Sequence, residues 1–100
     1  MKPDARICFT LFPDSGRTSP IRGDKYGCPL LINGSHYDCR FVLPEVVDYK
    51  LGFNYEVDVK FFRPDLAVPE LHKDLPIELW EGRPIGRGKI LKIYTDFQKD

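Results

Sequence analysis

The chain has 100 residues, of which 42% are hydrophobic and 30% are charged, a balance typical of one soluble globular domain. Lysine plus arginine equals aspartate plus glutamate, at 15 each, so the formal net charge is zero. This balance disfavours a protein that coats nucleic acid, because such domains are usually strongly basic. No apolar run approaches the roughly 20 residues of a membrane-spanning helix. The start has no signal-peptide pattern, so we expect one cytoplasmic domain over residues 1–100.

The first half of the chain is predicted to form three strands. ARICFTLF, residues 5–12, alternates apolar and polar residues with the period of a half-buried strand. LLINGSHYDCRFVL, residues 30–43, carries Asn33-Gly34 between apolar runs and predicts a hairpin. Between them, DSGRTSPIRGDKYGCP, residues 14–29, is a long polar loop, an unusual connection between the first two strands of so small a protein.

The second half is predicted to form three further strands. FNYEVDVKFF, residues 53–62, alternates strictly and places Phe53 on the apolar face. Residues 63–76 hold three prolines, which exclude a regular helix and favour a surface crossing loop with one short turn. IELW is then a short strand, EGRPIGRG (residues 81–88) a turn, and KILKIY (residues 89–94) the last strand.

Six strands predict an all-β sandwich or barrel. We favour a closed six-stranded antiparallel β-barrel over about residues 5–94, since closure removes the exposed edges that promote aggregation. Residues after Tyr94 are expected to form a short flexible tail. The alternation places these residues inside the barrel: Phe9, Phe41, Tyr55, Val57, Val59 and Leu91.

No residue pattern indicates catalysis, a metal or a cofactor. Cys28, His36 and Cys39 lack the spacing of a zinc site. GRPIGRG lacks the G-K-[ST] ending of a phosphate loop. With no secretion signal, all three cysteines are expected to be reduced, and Cys8 and Cys39 to act as small buried hydrophobes. The chain is therefore not expected to be an enzyme.

The charged residues leave two distributions open. Cations occur in the first loop and the last hairpin, and acids occur mainly in and after the proline-rich segment. The surface is then either two-sided or evenly mixed, as on most soluble domains. The cations are Arg17, Arg22, Lys25, Arg83, Arg87, Lys89 and Lys92, and the acids are Asp65, Glu70, Asp74, Glu78 and Glu81.

Four segments, in order, match the motifs of a known family. SGRTSPI (residues 15–21) is similar to G-R-x-T-P, and VLPEVV (42–47) to L-P-E-G-V. FRPDLAV (62–68) is similar to x-H-P-I-A-M, and LWEGRPIGRGKILKI (79–93) to I-R-E-G-G-R-T-V-G-A-G-V-V-T-K-I. The matching positions are Gly16, Arg17, Pro20, Leu43, Pro44, Glu45, Pro64, Ala67, Glu81, Gly82, Arg83, Gly86, Gly88, Lys92 and Ile93. Through these segments the chain resembles the C-terminal (third) β-barrel domain of elongation factor Tu.

The resemblance implies a closed barrel whose first loop and last hairpin are recognition surfaces. In that family these surfaces meet the acceptor-arm backbone of aminoacyl-tRNA and the neighbouring GTP-binding domain. This chain has no GTP-binding domain, so it is expected to bind no nucleotide itself. It also departs from the family, because KYGCPLL stands in place of Y-R-P-Q-F and a single Gly82 in place of two glycines. The partner-binding residues expected are Arg17, Arg22, Tyr26, Arg83 and Arg87.

Two classes of function remain. The first is a stand-alone protein-interaction module, which binds a translation-related factor or sequesters a toxin or effector as an immunity protein does. The alternative is an RNA-binding module that contacts the tRNA acceptor-arm backbone. The neutral charge and the missing arginine and glutamine of the Y-R-P-Q-F motif favour a protein partner, with weak tRNA binding, and no membrane partner is expected.

Overall fold

The computed structural model describes residues 2–13, 26–42 and 50–94. Within these ranges lie six β-strands and a single turn of α-helix that continues as a 3-10 turn. The strands are β1 (Ala5–Leu11), β2 (Gly27–Ile32), β3 (Ser35–Val42), β4 (Asn54–Phe61), β5 (Pro76–Trp80) and β6 (Pro84–Ile93), and the helix is α1 (Pro64–Ala67), followed by the 3-10 turn Val68–Glu70.

The strands form a closed barrel in the order β1-β4-β3-β2-β5-β6, with β6 pairing back onto β1. All neighbouring strands are antiparallel. The predicted hairpin joins β2 to β3, and Asn33 and Gly34 both have positive φ, 50° and 83°. A two-residue turn between twisted strands requires this backbone. The predicted all-β, closed six-stranded antiparallel barrel is therefore confirmed.

The inward side chains of every strand fill the barrel. Phe9, Phe41, Val57 and Val59 are buried as predicted. Tyr55 is only half-buried but packs against the core, with its ring centroid 6.2 Å from that of Phe9. The ring of Phe9 lies 5.5 Å from that of Phe41, so aromatic rings from three strands meet in the interior.

The interior positions of β6 differ from the prediction. Alternation predicts Leu91 inside, whereas Ile90 is fully buried and Leu91 is half-buried. The register explains the difference, since Ile7 pairs with Ile90 but Arg6 pairs with Lys92. Leu91 is thus the extra residue of a β-bulge, which interrupts the inward and outward alternation of the strand.

The last hairpin is tighter than the sequence suggests. Its turn occupies only residues 81–83, and Pro84 begins β6. Of its glycines, Gly82 has a positive φ of 70°, whereas Gly86 and Gly88 lie inside β6. A Cβ atom on Gly88 would overlap the carbonyl oxygen of Cys8. Close packing of β6 on β1, rather than turning, therefore requires glycine at this position.

Two other predictions need correction or refinement. Strand β4 begins at Asn54, so Phe53 precedes it and is 61% exposed rather than facing the core. The proline-rich segment contains one short turn, as predicted, but it is more than a surface loop. Four of its side chains belong to the core: Ala67, Val68, Leu71 and Leu75.

The two ends of the barrel are built differently. At one end, Leu11 pairs with Gly86, and its carbonyl accepts a 2.8 Å hydrogen bond from Gly52 N. The end of β1, residues 50–53 and the turn 81–83 of the last hairpin therefore meet at this end, which we call the hairpin end. Helix α1 lies at the opposite end, where β4 finishes and β5 begins.

Candidate functional site

Tyr26 joins the end of the first loop to the last hairpin. It directly precedes β2, and its carbonyl accepts a 2.8 Å hydrogen bond from Phe41 N. Its ring packs edge-on against the ring of Phe41, with centroids 5.0 Å apart. Its hydroxyl donates a 2.6 Å hydrogen bond to Oε2 of Glu81. Tyr26 therefore fixes two connections of the hairpin end relative to one another.

The turn of the last hairpin presents Arg83. Glu81 N donates a 2.9 Å hydrogen bond to the carbonyl of Arg83, and Gly82 between them adopts a backbone that glycine tolerates without strain. Arg83 is exposed, and its guanidinium has no hydrogen-bond or ion-pair partner in the part of the chain that the structure describes. All five of its N–H donors remain available to another molecule.

Arg87 lies in β6 on the outer wall of the barrel, four residues after Arg83. It pairs in register with Glu78 of β5 and Thr10 of β1. Two shallow grooves of about 370 and 470 Å³ meet at Arg87, with Pro76 and Gly88 lining both. Within the described ranges, Arg87 makes no hydrogen bond or ion pair with a carboxylate, although Glu78 lies opposite it on β5. The wall thus carries a guanidinium, unpaired but close to an acid, between two grooves.

An aromatic pair adjoins these cations. Trp80 faces outward at the end of β5, and the ring of His36 from β3 lies 4.8 Å from it at an interplanar angle of 58°. Strand β2 runs between β3 and β5, so the two rings meet across its outer face. Trp80 is half-buried and His36 is exposed, which leaves one side of the pair accessible.

We name two parts of this region. The rim comprises Tyr26, Glu81 and Arg83, and the wall comprises His36, Glu78, Trp80 and Arg87. Rim and wall are continuous, because Trp80 directly precedes Glu81 and Glu78 pairs with Arg87. Together they form the candidate surface, which combines a Trp, a Tyr and two Arg residues, the types that most often anchor protein interfaces.

The five predicted partner-binding residues do not all lie in one part of the structure. Tyr26 and Arg83 lie together on the rim, whereas Arg87 lies on the wall rather than in a turn. Arg17 and Arg22 fall outside the described residues.

Sequence reasoning missed Trp80 and His36. The outward position of Trp80 in the alternation of β5 was a usable signal, because tryptophan is enriched at protein interfaces. No sequence signal placed His36 against it, because their contact crosses an intervening strand.

The described residues carry mixed rather than segregated charge. Asp65 and Glu70 lie at the α1 end, as a two-sided surface would require. Glu78 and Glu81, however, lie on the candidate surface beside Arg83 and Arg87. Over the ranges that the structure describes, the evenly mixed alternative is therefore the better description.

The thiols also differ from one another. Cys39 is buried, as predicted, but Cys8 lies on the outer side of β1 and is only half-buried. Cys28 lies opposite Cys39, and its interaction with the Cys39 side chain lowers the pKa of Cys28. Hydrogen bonding with Cys28, followed by burial, raises the pKa of Cys39.

Neither a metal-binding cluster nor a membrane-spanning helix is present in the described ranges. Residues 2–13, 26–42 and 50–94 contain no group of three or more His, Cys, Asp or Glu side chains placed to hold a metal ion. Among the described residues, no helix is long and apolar enough to cross a bilayer.

Known proteins were compared with the chain as a whole. No family model matches it, and no curated protein is similar enough to count as a relative.

Proposed function

We propose that this chain is a non-catalytic protein-interaction barrel that resembles the third domain of elongation factor Tu. It binds a translation-related factor, or sequesters a toxin or effector as an immunity protein does. Its partner contacts the candidate surface at the hairpin end. The closed six-stranded barrel supports this proposal, because the resemblance implies that fold.

The hydrogen bond of 2.6 Å between the Tyr26 hydroxyl and Glu81 carries the proposal. It joins the first loop to the last hairpin, the two segments that serve recognition in the family that the chain resembles. A surface held in one arrangement before binding loses less conformational entropy when a partner docks. Arg83 and Trp80, on either side of Glu81, then supply an exposed guanidinium and an aromatic anchor.

A charge reversal tests the proposal. The variant Arg83→Glu/Arg87→Glu places acids at two cations that have no partner in the described ranges. The control Lys2→Glu/Lys73→Glu makes the same change of net charge at two exposed lysines outside the candidate surface. Each protein is used to capture partners from a lysate of the source cell, and the captured proteins are then purified and titrated against all three forms.

We expect the control to bind like the wild type and the surface variant to bind at least about tenfold more weakly, equivalent to about 1.4 kcal/mol. Removing interfacial charge complementarity is typically worth this much or more. Equal affinity of all three forms, with unchanged melting temperatures, would show that the partner docks elsewhere.

A second candidate function is supported by the same two arginines. Arg83 and Arg87 project from one hairpin without carboxylate partners in the described ranges, as contacts to successive phosphates would require. With a net charge of zero, we expect binding to bulk tRNA to be weak and to fall steeply with salt. A fluorescence titration at physiological salt measures this. A tight complex with aminoacyl-tRNA that resists salt would favour the RNA-binding module over a protein partner.

A further inference from the structure

Cys28 and Cys39 are direct cross-strand neighbours on β2 and β3. Phe41 N donates to the carbonyl of Tyr26 at 2.8 Å, which identifies that residue pair as a hydrogen-bonded pair of the ladder. The pattern repeats every two residues, so the two cysteines form a pair of the same kind, with Cα atoms about 5.5 Å apart. This separation lies within the range that a disulfide spans.

The two thiols are hydrogen-bonded but chemically unequal. The Cys39 thiol donates to the carbonyl oxygen of Cys28, with a Sγ to O distance of 3.3 Å. The pKa of Cys28 is lowered, first by the Cys39 thiol and further by the Tyr26 hydroxyl and the Trp80 backbone, whereas the pKa of Cys39 is raised. Of the two sulfurs, Cys28 is therefore the better placed to attack as a thiolate.

Cys8 offers a contrast within the same chain. It lies on the outer side of β1, where its register partners are Glu56 and Lys89 rather than another cysteine. It is half-buried, whereas Cys28 and Cys39 are 5% and 1% exposed. Cys8 is thus more accessible than the pair but has no neighbouring thiol opposite it, and it serves as a matched control.

We propose that Cys28 and Cys39 form a redox-active dithiol, which a small peroxide oxidises to a cross-strand disulfide. The Cys28 thiolate attacks one peroxide oxygen, the O–O bond breaks, and a sulfenic acid forms at Cys28 as the first water leaves. The Cys39 sulfur then attacks the Cys28 sulfur, the S–O bond breaks, and the second water leaves with the remaining proton. The two thiols lose two electrons and two protons, and hydrogen peroxide is reduced to two waters.

The dithiol lies directly beneath the candidate surface. After the Cys39 thiol, the Tyr26 hydroxyl and the Trp80 backbone also lower the pKa of Cys28, and both residues belong to that surface. Converting the Cys28 sulfur to a disulfide sulfur weakens its interaction with both groups. Oxidation therefore weakens the contacts that hold the rim in place. Any effect of oxidation on partner binding rests on the proposed function. The formation of the disulfide does not depend on that function.

Mass spectrometry of the folded wild-type protein tests the dithiol. The reduced chain is treated with hydrogen peroxide, quenched with an alkylating agent, and measured intact without reductant. We expect a single alkyl group, on Cys8, together with a loss of two hydrogens, about 2 Da, whereas the reduced chain carries three alkyl groups; a dithiol reductant added before the alkylating agent restores all three. Proteolysis should then yield one linked peptide pair, containing Cys28 and Cys39, with Cys8 still alkylated.

Three variants complete the test. Cys8→Ser should lose two hydrogens at the wild-type rate, whereas Cys28→Ser and Cys39→Ser should lose none. A peroxide-treated wild type with all thiols alkylated, with Cys8 in the crosslink, or with sulfinic acid accumulating at Cys28 would overturn the proposal. Because the peptide map of the wild type needs no variant, it decides the question even where a substitution prevents folding.

The fluorescence of Trp80, the single tryptophan of the chain, reports the coupling to the surface. We expect its emission to change with the same time course as the crosslink in the wild type and in Cys8→Ser. Complete crosslinking with constant emission would contradict the coupling while leaving the dithiol intact. Failure of the crosslink to form would contradict the proposed dithiol, whether or not the chain binds a partner at the candidate surface.

Discussion

Asp4 is the one charged residue that is buried among the described residues, with 1% of its surface exposed. Its carboxylate accepts hydrogen bonds from Lys60 Nζ at 3.0 and 3.1 Å and from Phe61 N at 2.9 Å. Its backbone bridges two other strands, since its N–H donates to Val59 and its carbonyl accepts from Tyr94 N. One residue at the start of β1 thus ties the ends of β4 and β6 together.

Replacing Asp4 with Ala should destabilise the barrel by about 2–3 kcal/mol, because the substitution leaves the buried Phe61 amide without an acceptor and Lys60 without its counter-ion. Denaturant unfolding measures the loss. The control is Asp65→Ala, which removes an exposed carboxylate that pairs with neighbouring Arg63 and should leave the free energy of unfolding almost unchanged. Equal effects of the two substitutions would show that Asp4 does not hold the strands.

At the scale of elements, β6 closes the barrel, and its bulge and its glycines determine how it packs against β1. It pairs with both β1 and β5, and the bulge at Leu91 shifts its register against β1. Gly86 and Gly88 let its backbone approach β1 closely, since a Cβ on Gly86 would lie 2.7 Å from the carbonyl oxygen of Thr10. The packing of β6 against β1 therefore depends on these two glycines as much as on the buried side chains of the strand.

Gly88→Ala should cost about 3 kcal/mol, at the upper end of overpacking, because the added methyl meets backbone that cannot rotate away. Gly82→Ala is the matched control. Its added methyl meets nothing within 4 Å, and only the positive φ of 70° opposes it, at about 1–2 kcal/mol. Thermal or denaturant melts compare the two variants. A Gly88→Ala protein as stable as Gly82→Ala would show that β6 does not press against β1.

Alternation and turn chemistry predict much of this fold. The period of two in residues 5–11 and the Asn33-Gly34 dipeptide are local signals, and the elements that they predict are present. The bulge at Leu91 and the contact of His36 with Trp80 are not local, because each depends on which strand lies alongside. Of the candidate surface, composition therefore indicated the arginines and Tyr26, but not the aromatic pair.

At the scale of the whole molecule, aromatic rings inside the barrel should contribute more to stability than exposed aromatic rings. A pair of substitutions measures this difference. Phe41→Ala should destabilise the barrel by about 3–5 kcal/mol, since it removes a fully buried ring that contacts Phe9 and Tyr26. Phe53→Ala removes a ring that is 61% exposed and should change stability by less than about 0.5 kcal/mol. A reversed order in urea unfolding would contradict the assignment of inside and outside.

The claim that a partner docks at the hairpin end is tested most directly by hydrogen–deuterium exchange. The chain is compared alone and saturated with the protein that it captures. We predict slower exchange on binding for the amides of Glu81, Gly82, Arg83 and Arg87, with no change over residues 62–75 at the α1 end. Protection confined to residues 62–75, with the hairpin amides unchanged, would contradict the account and move the binding site to the opposite end of the barrel.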